Sequence, residues 1–337
     1  MNPPEPAHRH TGAHGHPPEP ADEPHGYSHD HGHSHDHGEL LDELDDLAST
    51  TRDGIRAVLI GLIGLLATAL LQLILVSVTG SVALLSDTVH NVGDCLTALP
   101  IWLAFHLGRR PPSARFTYGL GRLEDLSGLV VVAAIGLSGV FALVESIDRL
   151  RHPAAVSQPW IVVAAGVIGV VGNELVARYR IRVGRRIGSL ALVADGHHAR
   201  TDGLTSLAVV ASGLASLVGW AWADPAVGML IAALIARLFV ATSKPVLERL
   251  LDATDPELTT QVYAAAAATA GVRQVGQVQV RWLGHRARAE LAVHVDPGLS
   301  VQAAHVIAEQ VAVEVRAHTR RVAVVTVRTT PWEPPTA

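Results

Sequence analysis

The sequence predicts an α-helical membrane protein: six membrane-spanning helices followed by a small soluble α/β domain. Three observations carry that expectation. Of 337 residues, 49% are hydrophobic and only 17% are charged, which is too apolar for an ordinary soluble domain. The apolar residues are gathered into long runs, and about 18–20 such residues suffice to cross a hydrocarbon layer of roughly 30 Å. Past Asp252 the chain changes character, to short alternating and helical periods mixed with charges, as in a packed soluble unit. The single cysteine, Cys95, excludes a disulfide framework and a multi-cysteine zinc site. No basic, aromatic-interleaved patch occurs, so no nucleic-acid partner is expected.

Residues 1–38 are rich in Pro, Gly, His and Asp and include ten histidines. Such a segment buries too little apolar surface to offset its ordering entropy and is expected to be disordered. Within it His29, His31, His33, His35 and His37 alternate with Asp, Gly and Ser, a composition suited to loose metal capture. A solvated tail with incidental histidines is the alternative. About fifty polar residues precede the first apolar run, so no signal peptide is expected. Residues 39–54 read as a short acidic cytoplasmic segment. A transmembrane domain over 55–248 follows, with spans at 55–78, 81–107, 123–148, 159–179, 189–218 and 223–246. The short connections Thr79-Gly80 and Gly219–Ala223 predict tight antiparallel hairpins.

Arginine placement predicts the orientation. Arg52 and Arg56 precede span one; Arg109, Arg110, Arg115 and Arg122 lie between spans two and three; Arg178, Arg180, Arg182, Arg185 and Arg186 lie around the connection of spans four and five. The opposite side carries Arg149 and Arg151. Both termini are therefore expected in the cytoplasm. The soluble domain, 249–331, reads as a helix at 255–270 with Asp255 as N-cap and Pro256 in the first turn. A hairpin of 274–283 and 287–295 turns near Gly284, a helix at 300–317 starts at Ser300, and a strand covers 321–328. That α-β-β-α-β order gives two layers, with helices on one sheet face. Residues 332–337 are expected to be a disordered tail.

The chemistry is concentrated in two apolar spans that repeat one polar spacing, Asp87-x-x-His90-x-x-x-Asp94 and Asp195-x-x-His198-x-x-x-Asp202. Ionisable groups in a bilayer core cost on the order of 2.5–3.5 kcal/mol each on insertion scales and persist there for function. Positions three, four and seven apart share a helix face. Two facing stripes, each giving a His and an Asp at i,i+4, supply a tetrahedral N₂O₂ set suited to zinc. His90, Asp94, His198 and Asp202 are the expected ligands. Asp87 and Asp195, one turn away, are expected to orient the histidines or act as gates, and Asn91 shares the stripe. A functionless buried polar contact is the competing account, and the repetition weighs against it. Glu124, Glu145 and Asp148 read as interfacial or snorkelling residues, Asn173 and Glu174 as polar helix-packing contacts, and Gly61-x-x-Gly64 as close helix packing. There is no His-Glu-x-x-His, nucleophile elbow, Walker-type loop or dinucleotide fingerprint. An enzyme or ATP-driven pump is therefore not expected.

These residues resemble the cation diffusion facilitator family, the zinc-type proton-coupled metal exporters, over about residues 50–331. The resemblance is carried by Ser81-Val-Ala-Leu-Leu-Ser-Asp87-Thr-Val-His90-Asn-Val-Gly-Asp94 and by Asp195-Gly-His-His198-Ala-Arg-Thr-Asp202. Phe116-Thr-Tyr-Gly119-Leu-Gly121-Arg122-Leu-Glu124, Trp222-Ala-Asp224-Pro225 and Leu250-Leu251-Asp252 add to it. It implies six transmembrane helices, a C-terminal cytoplasmic ferredoxin-like domain and a homodimer. The implied transport site is His90, Asp94, His198 and Asp202, the ligand variant associated with zinc. Arg122 and Asp252 match a charge pair near the dimer contact. The chain departs from the family at Leu120, where a histidine is frequent, and at Arg328-Thr329-Thr330, where a His-x-Asp pattern is frequent. His305 matches a frequent cytoplasmic ligand position, so a metal site there would need His285, His294 or His318 as well.

The implied activity is export of divalent metal, Zn²⁺ foremost with Cd²⁺, Co²⁺ and Ni²⁺ as further candidates, in exchange for protons across the cell membrane. Membrane lipid and a second copy are the other expected partners, and no catalytic cofactor is expected. The alternative is a membrane-anchored metal sensor or storage protein, which requires a complete ligand set in the soluble domain.

Overall fold

The computed structural model describes residues 36–79, 97–151, 159–220, 223–319 and 321–334. Of the segment Met1–Asp42, only the first residues of helix α1 fall within this range.

Among the described residues six helices make up the apolar part: α1 (Asp36–Thr79), α2 (Ala98–Gly108), α3 (Arg122–Arg151), α4 (Pro159–Ile187), α5 (Leu190–Val218) and α6 (Ala223–Leu250). All but α2 contain a stretch long and apolar enough to cross a membrane. Span two was expected at 81–107. Its first half lies outside the described residues and its second half is α2. The helix starting at Asp36 takes in the acidic 39–54 segment and the last residues of the expected disordered tail. Charge ends the apolar run there but not the helix, since Glu, Leu and Ala are good helix formers and an adjoining span supplies the nucleus.

Helix α4 likewise outruns its apolar stretch. It was expected to end near residue 179 but continues to Ile187, so Arg180, Arg182, Arg185 and Arg186 are helical along with Arg178. Gly188, at φ +78°, then stops it, because only glycine adopts that left-handed conformation cheaply. The Ser189 N–H closes on Gly184 O at 2.9 Å, the six-to-one bond of a Schellman stop. Ser189 in turn caps α5, its hydroxyl accepting the Leu192 N–H at 3.2 Å. A two-residue connection thus makes α4 and α5 a tight hairpin.

The helices meet through small and apolar residues. Ala57, Val58, Ile101, Phe105, Val131, Leu192 and Val246 form one buried cluster, and Leu65, Val176, Ala177 and Ala199 another. The large apolar side chains of the outer faces remain exposed, Leu137 at 70% and Phe141 at 68%. That inversion of the soluble pattern suits a surface solvated by lipid tails.

After Asp252, which has φ 61°, comes a two-layer domain: α7 (Pro256–Ala268), β1 (Gln274–Leu283), β2 (Arg286–Val295), α8 (Val301–His318) and β3 (Val322–Pro331). The expected α-β-β-α-β order is present. Asp255 caps α7 by accepting the Glu257 N–H, and Ser300 caps α8 by accepting the Ala303 N–H. Strand β2 is central, antiparallel to β1 and parallel to β3. Val262, Ala289, Leu291, Val293, Val311 and Val315 fill the space between sheet and helices. The last strand runs three residues beyond expectation, to Pro331, and the Trp332 N–H, expected in a disordered tail, donates to Val295 O at 2.8 Å.

Candidate metal site

Helix α5 places Asp195, His198 and Asp202 on one face, and all three are buried. His198 Nδ1 lies 4.0 Å from Asp202 Oδ1. At that separation the two groups are neighbours one helical turn apart, not a tight hydrogen-bonded pair. Imidazole and carboxylate are both donors that zinc-like ions accept, and here the two sit adjacent in a buried surrounding. The other two expected ligands, His90 and Asp94, lie outside the described residues together with Asp87 and Asn91. His29, His31, His33 and His35 do so too, while His37 falls in the first turn of α1.

Asp195 has a partner that the sequence reading missed. Arg180, on α4, brings Nη1 to 2.9 Å from Asp195 Oδ2, and both side chains are essentially inaccessible, at 1% and 0% exposure. The alignment is poor for a hydrogen bond, and Asp195 Oδ1 and Arg180 Nε and Nη2 have no hydrogen-bond partner among the described residues. Charge attraction therefore dominates the contact. In sequence Arg180 is one of the arginines around the connection of spans four and five; the extension of α4 turns it inward. The signal was present in the spacing. Asn173, Ala177 and Arg180 recur at helical intervals and are all buried, a face that continues the packing stripe. Glu174, on a neighbouring face, bonds Arg178 in its own helix and Arg200 of α5, matching its expected packing role.

A second buried polar cluster joins the helices to the soluble domain. Glu124, read from the sequence as interfacial or snorkelling, and its neighbour Asp125 lie in the first turn of α3 and are both buried, at 4% and 6% exposure. Asp125 accepts the Gly284 N–H and Glu124 the His285 N–H, each at 3.2 Å, and His285 Nδ1 sits 2.7 Å from Glu124 Oε2. Carboxylates at a helix N-terminus are favoured by its dipole. Here they also satisfy the backbone of the β1–β2 turn, which Gly284 forms at φ +66°. Arg249 of α6 donates from Nη1 to Gly188 O and Gly284 O, both at 3.1 Å, and its guanidinium lies 4.1 Å from the Trp282 ring. Arg122 and Asp252, implied as a dimer-contact charge pair, make an ion pair within the chain.

The structure does not bring the soluble-domain histidines together. His285 is engaged by Glu124. His294 Nδ1 lies 3.0 Å from Thr330 Oγ1; His305 and His318 sit on α8 near Glu309 and Glu314. Among the described residues no three His, Cys, Asp or Glu side chains gather as a metal would require. Within the described chain His285, His294 and His305 lie apart, because the topology puts one on a turn, one on the central strand and one on an exposed helix face.

Two family profiles cover nearly all of this architecture. One, described as the cation efflux transmembrane domain, matches residues 58–251; the other, the cation efflux protein cytoplasmic domain, matches 254–332. The chain belongs to the cation efflux, or cation diffusion facilitator, family. It is similar to the probable cation efflux system protein Rv2025c of Mycobacterium tuberculosis, with 49% identity over 267 residues, covering 79% of this chain and 80% of that protein. It is also similar to the manganese efflux system protein MneP of Bacillus subtilis, at 24% identity over 70% of this chain and 82% of that one. A third relative, the cadmium, cobalt and zinc/H(+)-K(+) antiporter of Bacillus velezensis, is 28% identical over 60% of this chain and 65% of that one. The protein is thus an integral membrane cation efflux transporter.

Proposed function

We propose that this transporter moves divalent transition metals, Zn²⁺ foremost, out of the cytoplasm by alternating access in exchange for protons. The buried imidazole–carboxylate pair of His198 and Asp202 on α5 carries the reading, because the sequence repeats the same spacing at His90 and Asp94. Four such ligands favour a zinc-like ion over a hard, oxygen-seeking one. Neutral imidazole is needed for metal binding, and its ordinary pKa near 6.5 lies within reach of physiological gradients, so protons arriving from outside displace the metal. The name of the Bacillus velezensis antiporter supports proton exchange and a zinc, cadmium or cobalt cargo; that of MneP marks manganese as the ion to compete against. We place both termini in the cytoplasm on the arginine distribution, and the working unit as a homodimer on the family resemblance.

The test is metal uptake into proteoliposomes loaded with a zinc-sensitive dye and given a pH gradient. The wild type should show uptake that collapses with the gradient. The Asp94→Ala, Asp202→Ala double variant should lose it, and uptake at the wild-type rate would overturn the site assignment. Competition among Zn²⁺, Cd²⁺, Co²⁺, Ni²⁺ and Mn²⁺ then ranks the cargo.

A further inference from the structure

We propose that Arg180 is a charge-setting residue for the cation site: it cancels Asp195, so that this carboxylate neither binds the metal nor holds it back. The inference rests on the reading of His198 and Asp202 as ligands.

Three helices build the contact. Helix α4 supplies the guanidinium, α5 supplies the carboxylate 2.9 Å away, and α1 supplies room. A Cβ on Gly61 would collide with Arg180 Nε, so the glycine of the Gly61-x-x-Gly64 pattern is what admits the arginine. Arginine stays protonated in any protein environment, and an uncompensated buried charge is prohibitive. Each member of the pair therefore requires the other. As a source of stability alone the pair is a poor choice, since well-packed apolar residues serve as well or better in a buried position.

Its position gives it a different use. Along α5, Asp195 precedes His198 by one turn and Asp202 by two, about 4.5 and 10 Å of axial rise. Charges at such distances act strongly on a divalent ion in a medium of low dielectric. The pair also lies between the ligands and the α4–α5 turn, the end that Arg249 ties to the soluble domain through Gly188 O and Gly284 O. An ion entering from that end meets a neutral pair. Without Arg180 it would meet an extra carboxylate beside the site and leave slowly. Without Asp195 it would meet an unopposed cation and bind weakly.

The two single substitutions should therefore move KM for Zn²⁺ in opposite directions in the proteoliposome assay. Arg180→Gln should lower KM by roughly tenfold and lower kcat with it, and Asp195→Asn should raise KM by roughly tenfold. The Arg180→Gln, Asp195→Asn double variant should return KM to within about threefold of wild type, and Arg180→Lys, which keeps the charge, should leave it within about twofold. A pair that only holds helices together would lower the yield of folded protein in both singles without opposed KM shifts. KM unchanged in both singles, or shifted the same way in both, overturns the proposal. If Arg180→Gln is not recovered from membranes, Asp195→Asn decides alone: a raised KM supports the role and an unchanged one overturns it. Asp202→Ala, measured in parallel, separates the two ideas. Wild-type flux in that variant defeats the ligand reading, whereas lost flux with unmoved KM in the pair variants defeats the charge-setting role alone.

Discussion

Asp296 ends β2's exit into the tight turn before α8, and its environment gives it a defined response to acid. The Gly298 N–H, and after it the Arg273 guanidinium at 2.8 Å, hold its carboxyl below the ordinary carboxylate range. A depressed folded-state value contributes stability that is present above the unfolded value and is lost as pH falls through the folded one. Thermal unfolding of the detergent-solubilised chain should therefore show Asp296→Asn less stable than wild type by a small, constant margin above about pH 5. That margin should shrink below about pH 4; one independent of pH would contradict the assignment. At this scale the candidate site was partly legible. Asp195, His198 and Asp202 stood out because polar groups at a fixed helical spacing contrast with an apolar background. Arg180 did not, since in sequence it is one of several arginines near the end of an apolar run. Only the unbroken helix to Ile187 decides that it faces inward while Arg178 faces out.

In the soluble domain, by contrast, the starts of the helices and the hairpin turn were legible from their capping and turn residues. Asp255, Ser300 and Gly284 announced the soluble elements because capping and turn chemistry is local. The ends of α1 and α4 were not legible from hydropathy, since apolar character reports where lipid ends and not where hydrogen bonding ends. The α4–α5 connection makes the point sharply: its boundary is fixed by Gly188 and Ser189, nine and ten residues past the apolar run's predicted end at 179, through Schellman and N-cap bonds. Ser189 is fully buried, so water cannot replace its hydroxyl at the N-terminus of α5. Ser189→Ala should destabilise the protein by about 1–2 kcal/mol. The measurement is thermal unfolding in detergent, where a melting temperature equal to wild type would mean the cap is energetically idle. Transport KM should remain unchanged, because the cap lies outside the ligand stripe.

For the molecule as a whole, the central fact is that the soluble domain is fastened to the helices by buried polar groups and not by an apolar patch alone. Glu124, Asp125 and Arg249 meet the Gly284–His285 turn from two different helices. Glu124→Ala removes the acceptor for the His285 backbone and ring and leaves the core of the soluble domain untouched. Amide hydrogen exchange should then accelerate at His285 by at least tenfold while α7 and α8 keep their protection; equal exchange in the two proteins would mean the turn is held by other means. The domain order and the α-β-β-α-β path could be read from sequence. This fastening could not, because Glu124 and His285 are 161 residues apart and no local spacing relates them.

Arg249 gives that fastening an unusual mutational profile. Its two acceptors, Gly188 O and Gly284 O, are main-chain atoms that every residue possesses, yet both belong to glycines with positive φ. Drift at either position is blocked by backbone geometry rather than by loss of a bonding group, and drift at 249 removes both bonds in one step. At the joint between membrane and soluble parts, Gly188 and Gly284 are thus constrained by conformation and Arg249 by its side chain, so one substitution at 249 removes what two separate backbone positions share.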